Sequence, residues 1–330
     1  MISGAESDRF HGAVTGDDRS MITVIFATRN GMSTLPSVLT AYCQLETPAG
    51  GWKLIVVDNA STDATRDIIN SFRDRLPVTY LYEKKLGKNA ALNTALDHVA
   101  GDLLLLTDDD VFPRPNWLVC MRKAADSLPA YSVFGGAVLP HWEVTPPDWI
   151  VEWVPGGPVF TLTPPSMPEG PMTPGSVYGP NMAVRTEIFR QGFRFDPTIG
   201  PQGANYAMGS ETEFVVRLAR HGHSAWHVPD AVVEHFIRDF QLHRSWILRR
   251  AIRFGRGHYR MTHTEQSRDM STWRGIPRHL FKQMLVQTAL VLKGLACFDD
   301  ETVFRARWTF NVMWGQVIEA RKLRGQPQSA

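Results

Sequence analysis

An α/β fold with a mostly parallel sheet covered by helices on both faces is what this sequence predicts, and three observations carry the prediction. Short apolar runs alternate with helical stretches from Met21 onward. The runs are nearly continuous in apolar residues, as strands buried on both faces require. Polar residues collect where the runs end, and in such sheets ligands bind at the carboxyl ends of the strands.

The elements follow in order. "MITVIFATRN" reads as a buried strand and "STLPSVLTAYCQL" as a helix, with Ser33 or Thr34 as its N-cap. "KLIVVDNAST" is a second strand, and "DATRDIINSFRDRL" has helical spacing at Ile68, Ile69 and Phe72. "VTYLYEK" is a third strand, "KNAALNTALDHVA" a helix, and "DLLLLTDDD" a fourth strand. The segment from Glu143 to Pro180 is dense in proline and glycine, which predicts an irregular lid or insert. Strand and helix patterns resume at "YGPNMAVR", and from Phe240 the chain reads as helical to its end.

Composition narrows the function. The 330 residues suffice for one large domain or two modest ones. A net charge of +2 gives no whole-chain reason to bind a polyanion. Cys43, Cys120 and Cys297 are far apart and form no CxxC pair, which argues against a disulfide framework or a zinc site and fits a reducing, cytoplasmic compartment. The N-terminal 20 residues are polar, lack the apolar core of a signal peptide and read as a flexible tail. The most apolar stretch, "FKQMLVQTALVLKGLACF", is interrupted by Lys282 and Lys293, so no spanning helix is expected.

Three adjacent aspartates, Asp108 to Asp110, close the fourth strand and need a countercharge. Hard divalent cations take oxygen ligands, and Mg²⁺ commonly uses one or two carboxylates together with substrate phosphate oxygens. The structural alternative is a turn in which Asp108 or Asp109 caps the helix that starts near Pro115. Asp58 and Asn59 end the second strand, where they can accept from a nucleobase or open an Asx-turn. Gly87, Lys88 and Asn93 stand at a helix start suited to a phosphate, with a solvated lysine as the structural reading.

Together these residues resemble the inverting family 2 glycosyltransferases with a GT-A fold, a Rossmann-like sheet here followed by a helical C-terminal extension. The resemblance runs through "VIFATRN", "IVVDNASTDAT", "GKNAALN" and "LLLLTDDDVFP", then "GPNMAVR", "GFRFDPTIG", "GSETEFVVRLARHGH" and "VPDAVVEH", spanning roughly Met21 to Phe236. It implies a tail over 1–20, a nucleotide-sugar-binding half over 21–120, an acceptor-binding half over 121–240 that contains the 143–180 loop, and a helical extension over 241–330. It also implies Mn²⁺ or Mg²⁺ and a nucleotide-diphosphate sugar, UDP-linked by preference. Asp108 and Asp110 match the aspartates of the DxD motif, with Asp110 as the direct ligand and Asp108 at the ribose or metal edge. Thr28, Asp58 and Asn59 match the nucleoside pocket, and Lys88 a position near the base and diphosphate. His235 matches a third metal ligand, with a structural histidine as the alternative. Glu211 falls where the catalytic base is expected, but the usual Glu-Asp pair is here Ser210-Glu211, so Glu213 stands as a fallback. Inversion takes one displacement, which places the base and the aspartates on opposite sides of the sugar.

The expected partners are the donor and a glycan or lipid-linked glycan acceptor, with surface polysaccharide biosynthesis as the process. Helix 243–260 puts Arg249, Arg253, Arg256 and Arg260 on one face, read either as a contact for phosphates or an anionic membrane surface on the inner leaflet, or as a solvated face. No reader motif supports nucleic acid. The two helices after Pro277 carry a stripe of Phe304, Trp308 and Val312, which suggests core packing or a homodimer, with docking on a membrane surface as the alternative. Two other readings compete: a non-catalytic nucleotide-sugar-binding or scaffolding homologue, favoured by Ser210, and a sugar-1-phosphate nucleotidyltransferase, for which "FATRNGMS" is a poor glycine-rich loop.

Overall fold

A computed structural model describes residues 20–201, 206–262, 272–273 and 276–324; the tail over 1–19 lies outside them. In chain order the elements are β1 (Ile22–Thr28), α1 (Leu35–Tyr42), β2 (Trp52–Asp58), α2 (Thr65–Asn70), β3 (Val78–Tyr82), α3 (Lys88–Leu96), β4 (Leu103–Leu106), β5 (Val111–Pro113), α4 (Trp117–Ser127) and β6 (Val133–Trp142). Next come α5 (Asp148–Trp153), α6 (Gly156–Phe160), β7 (Gly170–Met172), β8 (Met182–Arg185), α7 (Glu187–Arg190), α8 (Ser210–Arg220) and β9 (Ala225–Ile237). The extension holds α9 (Arg244–Thr262), the short strands β10 (Thr272–Trp273) and β11 (Ile276–Pro277), α10 (Arg278–Ala296) and α11 (Asp300–Arg324).

One sheet runs in the order β3-β2-β1-β4-β8-β6-β9-β5, with β7 beside β9. The first four strands pair in parallel, as expected, with Ile22 opposite both Trp52 and Leu103. Beyond β4 the sheet becomes mixed: β8 runs antiparallel to β4 and β6, and β5 and β7 run antiparallel to β9. Alternation along each strand feeds two cores. Val24, Phe26, Leu54, Val56, Leu103 and Leu105 pack on one face with α1, α2 and α4. Ile25, Ile55, Val57, Leu104 and Leu106 pack on the other with α3, α7 and α8.

The 143–180 segment corrects the expectation of an irregular insert. It contains α5, α6 and β7, because Ile150, Val154, Val159 and Phe160 bury themselves against Ile237, Leu242, Ile247 and Phe304. Proline and glycine set its turns, but apolar burial folds it. Within the extension, α9 and α11 meet through glycines. A Cβ on Gly255 of α9 would lie 1.9 Å from the Val312 carbonyl of α11, and one on Gly315 would lie 2.1 Å from the Ile252 carbonyl. The Cα atoms let two helix backbones touch, as only glycine permits.

Candidate active site

A cavity of about 850 Å³ opens at the carboxyl ends of β1 and β4, within the size range of about 300–1,000 Å³ typical of small-molecule sites. Its wall from the first half of the chain carries Thr28, Asn59, Lys88 and the three aspartates, its wall from the second half carries Glu211, His235 and Arg250, and the two meet at Lys88–Glu211 and Asp110–His235.

The aspartates do not cap a helix: α4 begins at Trp117 with Asn116 at its N-cap. Each has a separate partner. Asp108 is ion-paired with the Lys88 ammonium. Asp109 accepts from Thr28 Oγ1 at 2.6 Å. Asp110 accepts from the Arg238 guanidinium at 3.1 Å and faces His235 Nε2 at 3.5 Å. The environments drive the two neighbours apart. Burial and the adjacent Asp110 charge push Asp109 up to about 7, although Thr28 opposes them. Burial would also raise Asp110, but His235 and Arg238 outweigh it and hold that carboxyl down at about 2. The His235 imidazole, with Phe160 O 2.7 Å from Nδ1, is raised by Asp110 against the effect of its own burial.

Lys88 opens α3 and touches carboxylates from both walls, Asp108 and, at 2.5 Å, Glu211 Oε1. Burial would lower its pKa, but the two anions more than reverse this and raise it. Glu211, in the first turn of α8, moves the opposite way: the Lys88 charge overcomes burial and holds the carboxylate below the ordinary glutamate range. Ser210 Oγ donates to Glu211 Oε2 at 2.5 Å. Gly179 packs against the same group, since a Cβ there would lie 2.6 Å from the carboxyl carbon. Glu213 pairs instead with Arg217 at 2.9 Å, one turn along α8, and is not in the cavity lining. Glu211 and Asp108 come from different halves of the chain, and one ammonium, that of Lys88, bridges them and compensates both buried carboxylates.

The remaining expected residues divide. Asn59 lines the cavity and braces its edge: its amide donates to the Glu83 and Lys85 carbonyls and its oxygen accepts from Gly87 N–H at 2.8 Å. Asp58 stands behind it, outside the lining, accepting from Ser61 N–H at 2.8 Å, the Asx-type turn, and from Tyr80 OH at 2.9 Å. Asn93 does not hold a phosphate position; it clasps the Phe195 backbone through both ends of its amide.

The basic helix also sorts differently from its spacing. Arg256 and Arg260 turn inward onto Glu319 of α11, at 2.7 and 2.6 Å, so this stretch of the face is neither solvated nor free for a membrane. Sequence reasoning missed Arg250, which lines the cavity, stacks 5.2 Å from the Trp246 ring and has no hydrogen-bond partner on its buried Nε. Only its place one residue off the arginine stripe hinted at a different direction. Arg238 was missed as well; it is the cation beside Asp110.

As a metal site the donor set is open. No group of three or more His, Cys, Asp or Glu side chains suited to hold a metal occurs among the described residues. Asp110, with His235 beside it and Asp108 two residues away, fits a hard cation that completes its shell with phosphate oxygens.

The fold and cavity define a GT-A protein. A mannosyltransferase from Pyrobaculum calidifontis, solved in complex with GDP-Man and Mn²⁺, shares the fold with a TM-score of 0.61 at 20% identity, over 91% of this chain and 86% of that one. TarS from S. aureus, solved in complex with UDP-GlcNAc, matches with a TM-score of 0.51 at 14% identity, over 94% and 93%. The model of Glycosyl transferase family 2 matches residues 23–192, just over half of the chain, and the chain belongs to that family. Succinoglycan biosynthesis protein ExoM of Rhizobium meliloti is 27% identical over 212 residues, 63% of this chain and 64% of that protein. Validoxylamine A glucosyltransferase of Streptomyces hygroscopicus subsp. jinggangensis is 29% identical over 118 residues, 35% and 28%. The chain thus spans less than two thirds of the length of these curated relatives.

Proposed function

We propose that this protein is an inverting, metal-dependent glycosyltransferase that moves a sugar from a nucleoside-diphosphate donor, UDP-linked by preference, to a hydroxyl of a glycan or lipid-linked glycan in surface polysaccharide assembly. One observation carries the reading. Glu211 and the strand-end aspartates line one cavity of a size suited to a nucleotide sugar, and the Glu211 carboxylate is held ionised by Lys88 and hydrogen-bonded by Ser210.

An inverting transfer needs a base ionised at neutral pH and within reach of the acceptor hydroxyl. Glu211 meets the first requirement through the Lys88 charge. Ser210 and the close backbone of Gly179 restrict where its oxygens point, so Ser210 in place of an acid supports the base instead of counting against it. The proton of the acceptor hydroxyl passes to a Glu211 oxygen as the anomeric carbon changes partner, and no covalent enzyme intermediate is needed. A divalent cation held by Asp110, with Asp108 and His235 beside it, would supply Lewis-acid neutralisation of the charge that develops on the departing diphosphate. Arg250, which lines the cavity, offers a second positive group.

A thermal-shift panel of UDP-, GDP- and dTDP-sugars with Mn²⁺, Mg²⁺ or EDTA tests this on the wild type and Asp110→Ala. A ligand that binds only the native state raises the melting temperature. A metal-dependent rise with one nucleotide, lost in the variant, is the expected result. No rise with any of them in folded protein would overturn the donor reading, and release of pyrophosphate in place of nucleoside diphosphate would make the protein a nucleotidyltransferase.

A further inference from the structure

Helix α10 is apolar on two sides, and only one of them is covered. Leu280, Phe281 and Met284 pack inward on Met313 and Val317 of α11. Gly294 lets the end of the helix close on the next turn, since a Cβ there would lie 2.8 Å from the Val303 side chain. Beside this packed side Leu285 is 72% exposed and Leu292 64% exposed. With Ala296 they fall at intervals of seven and four, one stripe of a helix. Leu295 and Val286 flank the stripe and are also exposed. An apolar stripe on a helix is ordinarily turned toward a core. This one is open over most of its length.

The turn after α10 extends the same feature. Phe298 is 96% exposed and has φ +54°, in the region that glycine normally supplies at a helix C-terminus. A large apolar side chain is thus held in water at a position where glycine would fit the backbone better.

Charge decides between the occupants of such a face. The helix carries Arg278, His279, Lys282 and Lys293 and no acid. Lys282 and Lys293 are eleven residues apart, so they emerge on the same flank of the leucine stripe. The nearest acids, at the start of α11, are already engaged. Asp299 caps that helix through Thr302 at 2.9 Å. Asp300 pairs with Arg244 at 3.4 Å, and Glu301 with Arg305 at 2.7 Å. A second copy would bring the same lysines against these, whereas an anionic bilayer complements both the leucines and the lysines. No helix among the described residues is long and apolar enough to cross a membrane, so the contact is with a surface.

We propose that α10 and Phe298 form a docking face for an anionic lipid surface, lying in its plane with the Leu285–Leu292 stripe inserted and Lys282 and Lys293 at the headgroups. This moves the membrane contact from the arginine helix α9, where Arg256 and Arg260 are spent on Glu319, to α10. The inference stands apart from the transferase reading, because vesicle binding and donor binding are measured separately.

The test is flotation of the full chain with phosphatidylcholine vesicles that contain or lack phosphatidylglycerol. The wild type is expected to float with the anionic vesicles, and less so as salt rises. Leu285→Gln with Leu292→Gln should weaken that binding about tenfold or more, and Lys282→Glu or Lys293→Glu about fivefold each. All four positions are exposed, so melting temperatures should stay near that of the wild type. Phe298→Ser, in a turn outside the helix packing, repeats the test if the double variant fails to fold. Absence of binding to anionic vesicles would overturn the proposal, as would equal binding by wild type and variants. A dimer seen by sedimentation that the leucine variants dissolve, with vesicle binding unchanged, would assign the face to a second copy instead.

Discussion

Two buried charge clusters in this protein look alike in composition and differ in what they can do. In the extension, Glu319 is 0% exposed and its two oxygens are taken by Arg256 and Arg260, adjacent turns of one helix. In the cavity, Lys88 is shared by carboxylates from two different elements, and Asp110 is shared by His235 and Arg238. The first cluster is closed: every charge has a fixed partner, and solvent is absent. The second lies on a cavity wall, where an incoming phosphate or cation can replace one of the partners. A closed cluster fixes helices in place. An open one exchanges partners.

This difference predicts opposite phenotypes. The largest effect is expected for Glu211→Gln, which should lower turnover about 10³-fold, in the range for loss of a general base, with donor binding in the thermal-shift assay retained. If Glu213→Gln gave that loss and Glu211→Gln did not, the base assignment would pass to Glu213. Glu319→Ala should do the reverse. Removing one partner of a buried charge cluster costs about 3–5 kcal/mol, readable as a lower denaturation midpoint, while any protein still folded should bind donor normally.

The closed cluster also has a pH signature. Burial alone would raise the Glu319 carboxyl, but the hydrogen bonds and charges of Arg256 and Arg260 bring it below the ordinary glutamate value of about 4.3. A depressed folded-state pKa contributes stability that is complete above the unfolded value and is lost as pH falls below it. Stability of the wild type should therefore drop more steeply than that of Glu319→Gln below about pH 4.3, and parallel acid-denaturation curves would sink the claim.

Arg250→Ala sharpens the open cluster. A hydrogen bond to a charged group contributes about 1.5–3 kcal/mol, so donor affinity should fall about tenfold to a hundredfold with little change in melting temperature. Ser210→Ala should give the smallest change. Without the Ser210 donor, the Glu211 carboxylate loses one of the groups that lower its pKa. The acid limb of the rate profile should move to higher pH, and an unmoved limb would show that Ser210 does not act on the base.

The strand-by-strand pattern made β1 to β4 and their rim legible, because continuous apolar runs and terminal polar residues are local signals. Asp108 and Asp110 were visible that way, Lys88 as a helix start and Glu211 through the family resemblance, and the structure brings them to one cavity. Their pairing was not visible, since Lys88 and Glu211 are 123 positions apart in sequence and meet only through the fold. Composition misjudged 143–180, where apolar residues spaced among prolines fold into α5 and α6. It also misjudged α9, because the number of arginines on a face says nothing about whether a glutamate waits on the helix opposite. The glycines at 255 and 315, which let that helix approach, carried no local signal at all.

Gly257 shows where this matters beyond packing. A Cβ there would lie 1.8 Å from the Met208 carbonyl, just before the helix that begins with Ser210 and Glu211. The extension therefore presses directly on the segment that leads into the base, and it adds Arg250 to the cavity. Both lie beyond residue 192, where the family match ends. The matched part of the chain holds the aspartates and Lys88, while Glu211, His235 and Arg250 come from beyond it. A truncation made at the edge of the matched region would keep the aspartates and Lys88 but lose Glu211, which Lys88 pairs with across the cavity lining.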